Sequence, residues 1–175
     1  MNAKPTVTQL DDKTVVITRT FDAPRTLVWK AWTDPKHLAQ WFGPKVMTVP
    51  VATSELQPGG AWRVTMRDPN GTDYPCKGVY AEVKAPERFT STVDLSEHPR
   101  SWFDMLDPGR DKEKGKPFYD VMWDISFAEK DGKTTVTIKT TFEWKEVRDK
   151  FVKLGMVEGW SQSFEKLDNL LEQMR

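Results

Sequence analysis

The chain has 175 residues, with Lys and Arg numbering 26 and Asp and Glu also 26. That length suits one domain with a sizeable core, and the zero formal charge lacks the basic footprint of a nucleic-acid binder. A single cysteine, Cys76, rules out an internal disulfide and a thiolate metal site. No stretch approaches the roughly 18 apolar residues of a membrane span, and residues 1–12 lack the apolar run of a signal peptide, so a cytoplasmic protein without membrane insertion is expected.

Residues 1–12 read as an N-terminal extension and residues 13–175 as a single domain. Val15, Ile17, Arg19 and Phe21 alternate with Val16, Thr18 and Thr20 and predict a first strand, half buried. Asp22-Ala23-Pro24 opens a short helix, with Pro24 in its first turn and Asp22 or Ala23 near the cap. Leu27, Val28, Ala31 and Trp32 give that helix one apolar side. Asp34-Pro35 is a cap followed by a first-turn proline, and Leu38, Trp41 and Phe42 line a second short helix stopped at Gly43-Pro44.

Strands follow. One run covers residues 46–56 and ends at Pro58-Gly59-Gly60. Trp62, Val64 and Met66 alternate next, and Asp68-Pro69-Asn70-Gly71 predicts a hairpin with Asn-Gly as a two-residue turn. Tyr74, Cys76, Gly78 and Tyr80 share one face of the following strand, and Phe89, Ser91, Val93 and Leu95 share one face of the next. Tyr119, Val121, Trp123, Ile125 and Phe127 are expected inward, then Asp131-Gly132 turns the chain into a last strand lined by Val136, Ile138, Phe142 and Trp144. Strands so closely spaced join economically only as antiparallel hairpins.

Residues 97–118 interrupt the alternation. A connection of this length is a lid, a binding loop or an ordinary packed insertion, and its Trp102, Phe103, Met105 and Leu106 suit a short helix over the mouth of a pocket. From Val147 to Met174 the apolar residues Phe151, Leu154, Trp160, Phe164, Leu167, Leu171 and Met174 predict one long amphipathic helix. Gly155 and Gly159 within it permit close backbone approach or a kink, or they mark a later helix start. The fold class is therefore α+β: a curved antiparallel sheet of about six or seven strands wrapped around a long C-terminal helix, with two short helices after the first strand.

Several stretches resemble a known family. Residues 23–35 and 38–44, Pro58-Gly59-Gly60-Ala61-Trp62-Arg63, Asn70-Gly71, Pro86-Glu87-Arg88 and Gly155-Met156-Val157-Glu158-Gly159-Trp160 match, in order, the heat-shock-ATPase-activator-homologue-like proteins of the helix-grip superfamily, also called START-like or SRPBCC. The resemblance implies a helix-grip fold around a hydrophobic cavity. It does not carry over co-chaperone activity, because nothing here resembles that co-chaperone's separate chaperone-binding domain.

No catalytic constellation stands out. His37 and His98 lack the partners of a metal site, and Ser161 and Ser163 lack a nucleophile elbow. Gly59-Gly60 and Asn70-Gly71 lack phosphate-loop spacing, and no cofactor is expected. Cys76 is expected to be an inward, inert thiol. Glu55, Arg63, Asp104 and Asp124 are the acid–base candidates, with Arg63 and Asp124 outward by parity and Glu55 unplaced. The expected ligand-binding residues are Trp41, Phe42, Trp62, Met66, Tyr80, Phe89, Trp123, Phe142, Trp160 and Phe164, with Tyr80 and Tyr119 as orienting polar groups. The leading expectation is non-covalent binding of a hydrophobic or aromatic small molecule. The alternatives are a cyclase- or hydrolase-type enzyme in the same cavity, and a protein-interaction module or homodimeric regulator.

Overall fold

The computed structural model describes residues 5–175. One antiparallel sheet contains β1 (Val7–Asp11), β2 (Thr14–Phe21), β3 (Thr48–Ser54), β4 (Ala61–Arg67), β5 (Asp73–Lys84), β6 (Arg88–Val93), β7 (Val121–Lys130) and β8 (Lys133–Phe142). Its eight strands run in the order β1-β2-β8-β7-β6-β5-β4-β3. The expected strands are present, and Val7–Asp11 add one more at the edge, paired with β2. Residues 1–4 of the expected N-terminal extension lie outside the described residues. The extra strand had no periodic signal because it buries no face: Val7 and Leu10 are both exposed.

Alternation is observed where it was expected. In β2 every second residue, from Val15 to Phe21, is buried. Arg19 belongs to that inward row, and its guanidinium pairs with Asp168 while lying 5.4 Å from the Phe21 ring centre. Asp131 and Gly132 both have positive φ, 53° and 75°, and connect the paired Lys130 and Lys133. That is the mirror-image turn whose twist matches the strands it joins. The Asn70-Gly71 turn is longer than expected. Arg67 pairs with Asp73, and the Asp68 carboxylate accepts from the N–H groups of Asn70 and Thr72, each at 2.9 Å, holding a wider loop.

Helices α1 (Arg25–Thr33) and α2 (Pro35–Trp41) form the expected pair. Pro24 occupies the N-cap position of α1 and offers no side-chain cap. The Glu129 carboxylate fills that role from the sheet, accepting from the Arg25 N–H at 2.8 Å. Asp34 caps α2 as expected, accepting from the Lys36 N–H at 3.0 Å with Pro35 in the first turn. The Trp41 indole N–H donates to the Ala31 carbonyl at 2.8 Å and fixes the angle between the helices.

The C-terminal helix is divided. α4 (Lys145–Leu154) and α5 (Met156–Met174) meet at Gly155, whose φ of +105° ends α4. That conformation is costly for any residue with a Cβ, so the glycine sets the break. α5 lies close to α1, α2 and β2. Trp144, expected on the last strand, is instead the exposed N-cap of α4. Within residues 97–118, Arg100–Leu106 form α3, which buries Phe103 and Leu106. The loop after it is tied back by Arg110, which donates to Asp104 at 2.9 Å and to the Gly115 carbonyl at 2.7 Å.

Two glycine variants separate packing from backbone conformation. A Cβ at Gly78 would lie 2.0 Å from the Thr92 carbonyl oxygen and 2.6 Å from Trp62 Nε1. Gly78→Ala is expected to lower stability by roughly 1–3 kcal/mol through overpacking. A Cβ at Gly155 meets nothing within 4 Å, so Gly155→Ala should cost about 1–2 kcal/mol from backbone strain alone. Urea unfolding midpoints of the two variants check both values. An unchanged midpoint for Gly155→Ala would mean that the break does not depend on glycine.

Candidate functional site

A cavity of about 490 Å³ lies between the concave face of the sheet and the N-terminal half of α5. Its floor comes from inward residues near one end of the strands: Met66 on β4, Tyr74 and Cys76 on β5, Trp123 on β7, and Thr140 and Phe142 on β8. Met156, Gly159, Trp160 and Ser163 of α5 form the opposite wall, with Phe151 and Leu154 from α4. His98, Trp102 and Met105 close one side, and Phe42 to Pro44 with Met47 close another. The loop-and-helix segment 97–118 thus contributes wall directly, with Trp102 edge-on to Phe151 at 5.7 Å. Met105 and Leu154 reach the cavity yet are 56% and 38% exposed, so they stand at its rim.

Trp160 marks the boundary between solid core and hollow. Its ring stacks on Trp32 at 5.7 Å and meets Phe42 and Trp123 edge-on, each at 5.8 Å. Lys166 secures the segment after α2 to α5, donating to the carbonyls of Phe42 at 3.4 Å and Pro44 at 3.1 Å. Burial lowers the pKa of this ammonium.

The ten aromatic and apolar residues singled out from sequence divide in two. Phe42, Met66, Trp123, Phe142 and Trp160 lie at the cavity wall. Trp41, Trp62, Tyr80, Phe89 and Phe164 are buried away from it. Trp62 lies behind Trp123, the rings stacked at 5.1 Å, with its indole N–H donating to Ser91 Oγ at 2.6 Å. Phe89 packs edge-on to Trp29 at 6.0 Å, and Phe164 to Phe21 at 5.4 Å. The Tyr80 hydroxyl is bonded to Ser54 Oγ at 2.8 Å, so it is engaged in the core and not turned to the cavity. Tyr119 precedes β7 and packs on Phe103 and Phe151, outside the wall.

None of the four acid–base candidates lines the cavity. Arg63 pairs with Glu97 at 2.8 Å, Asp124 with Arg88 at 2.8 Å and Asp104 with Arg110 at 2.9 Å, while Glu55 is exposed. Among the described residues no group of His, Cys, Asp and Glu is placed to hold a metal ion. Cys76 is buried at the wall, and burial pushes its thiol up to about 12, which keeps it protonated and unreactive.

Thr140 and His98 are wall residues that the sequence reading did not place at a cavity. Thr140 occupies the inward register of Val136, Ile138 and Phe142, so strict period-2 counting reaches it. His98 sits just before Pro99, the N-cap of α3, where only the placement of that helix brings it inside. It is 3% exposed, with its ring against Tyr74 at 5.6 Å and Trp102 at 4.5 Å.

Comparison with known proteins agrees with this architecture. The family model described as "Activator of Hsp90 ATPase homolog 1-like protein" matches residues 22–172. A Mycobacterium smegmatis protein of known crystal structure is 25% identical, with a TM-score of 0.76 over 98% of this chain and 100% of that one. An Arthrobacter aurescens protein solved by NMR is also 25% identical, with a TM-score of 0.77 over 95% of this chain and 91% of that one. A Rhodobacter sphaeroides protein shares the fold at 16% identity, with a TM-score of 0.81 over 98% of this chain and 100% of that one. No curated protein matches the chain. Among the described residues no helix is long and apolar enough to cross a membrane. With the family model matched over most of its length and a curved sheet gripping a C-terminal helix, the chain belongs to the Activator of Hsp90 ATPase homolog 1-like family of the SRPBCC, or helix-grip, superfamily.

Proposed function

We propose that the protein binds a hydrophobic or aromatic small molecule, non-covalently, in the cavity beneath α5. The observation that carries this reading is the makeup of the wall. A space of about 490 Å³ is bordered by aromatic rings, methionines and aliphatic side chains, and by no Asp, Glu, Lys or Arg. Ligand pockets commonly span about 300–1,000 Å³ and bury most of the ligand against apolar walls. Burying ligand area would contribute about 25 cal/mol per Å² before the cost of ordering is counted. Trp102 and Met105 on α3, at the side of the cavity, give the guest a route past a short helix instead of past the sheet.

Neutrality of the wall extends to its one histidine. Burial pushes His98 down to about 4 from an ordinary 6.5, so its ring is uncharged at pH 7. A charged group facing the guest would favour ionic ligands; here nothing of that kind is required.

Gly159 gives a direct test. It lies at the wall, and a Cβ there would meet only the Pro44 ring, at 3.8 Å. Gly159→Leu should fill the space while raising helix propensity by about 1 kcal/mol. Mass spectrometry of material released from gently purified protein should find a bound apolar compound in the parent and none in Gly159→Leu, with thermal stability kept. An empty parent whose Trp emission does not respond to a broad set of lipids and aromatic metabolites would overturn the proposal.

The histidine gives a pH test. Folded His98 binds fewer protons than the unfolded chain between about pH 6.5 and 4. Stability therefore falls as pH drops through that window, by on the order of 3 kcal/mol in total. Urea unfolding at pH 7 and pH 4.5 should show this loss in the parent and a smaller one in His98→Gln. An equal loss in both proteins would mean that His98 titrates normally.

A further inference from the structure

Of the seven methionines in the sequence, four stand at the cavity wall. They come from four different parts of the fold: Met47 from the loop before β3, Met66 from β4, Met105 from α3 and Met156 from the first turn of α5. None of the four is buried, whereas Phe42, Val93, Val121 and Phe142 of the same wall are all 6% exposed or less. The wall therefore has a fixed part, made of rings and β-branched side chains, and a part made of thioethers. Methionine is unbranched and has three rotatable bonds, so it re-packs where valine or phenylalanine cannot.

Three of the four methionines also border wall positions that lack a side chain. A Cβ at Gly43 would lie 2.7 Å from Met66 Sδ and 3.5 Å from Met47 Cβ. The Met66 thioether thus lies over bare backbone, with Met47 beside it. Met156 stands between Gly155, its predecessor in the chain, and Gly159, three residues further along the same side of α5. The space beside Gly159 is open, since a Cβ there would meet only the Pro44 ring, at 3.8 Å. Neither glycine neighbour obstructs a change of rotamer at Met156.

We infer that Met47, Met66 and Met156 are the movable part of the wall and set its specificity: the cavity takes uncharged apolar guests of differing shape and remodels around each by turning these thioethers. The inference rests on the cavity reading above and deepens it. A wall of fixed rings alone would match one outline, because fitting another forces side chains off their rotamers. Flexible methionine-rich surfaces accept several partners for the same reason. Flat aromatic guests gain sulfur–ring contacts as well, and globular or extended guests gain the volume that the thioethers vacate.

Three probes with ten carbons and one hydroxyl each test this: 1-naphthol is flat, 1-adamantanol globular and 1-decanol extended. Their affinities, measured by calorimetry and divided by each probe's octanol–water partition coefficient, should agree within about fivefold in the parent. The triple variant Met47→Leu, Met66→Ile, Met156→Leu keeps apolar volume and removes torsional freedom. It should retain one shape and lose at least one other by about tenfold or more. A readout on the parent needs no variant. The 13Cε methyl signals of Met47, Met66 and Met156 should move on adding each probe, to a different position for each, while those of Met122 and Met174, away from the wall, stay. Binding of one shape alone by the parent, a spread that does not widen in the variant, or unmoved wall methyl signals would overturn the inference while leaving the cavity reading intact. Failure of all three probes to bind the parent would remove both.

Discussion

The packing of α5 against the sheet is solid along its C-terminal half and hollow along its N-terminal half. Phe164, Leu167 and Leu171 are buried to 2% exposure or less, with Phe164 edge-on to Phe21. Each such side chain contributes about 1.5–3 kcal/mol by leaving water. One to two turns earlier, Met156, Gly159 and Trp160 face open space instead. Interiors normally fill at close-packed density, and a void forfeits the contacts its lining would have made. The filled half of the helix, with the Arg19–Asp168 pair beside it, holds the element in place while the other half leaves room.

That division depends on Gly155 and on Trp160. The left-handed glycine ends α4 and lets the chain restart as α5, so α4 can turn its Phe151 toward Phe142 and Trp102. A continuous helix would not place both segments around one space. Trp160, stacked on Trp32 and edge-on to Trp123, stops the core from spreading further. The wall beyond it is closed by α3, a short helix with two apolar anchors, Phe103 and Leu106.

Most of the scaffold was legible because period-2 and period-3.6 patterns follow directly from backbone geometry. The Asp34-Pro35 cap and the Asp131-Gly132 turn are local chemistry and came out as read. β1 was missed because an edge strand with exposed Val7 and Leu10 buries no face. The hidden limit concerned the site. Parity says that Trp62 and Trp123 point to the same side, but not that one ring covers the other. Phe89 and Met66 are likewise both inward, and only their position along the strands separates core from cavity. His98 carried no pattern at all, since its place depends on how α3 docks.

The central claim is that the space under the N-terminal half of α5 is maintained open for a guest. A high-resolution crystal structure of protein purified without harsh washing tests it most directly. Non-protein density between Trp160, Met66 and Phe142, with those side chains held apart, is the result expected. Trp102, Met105 and Phe151 folded inward into a continuous, filled core would contradict it.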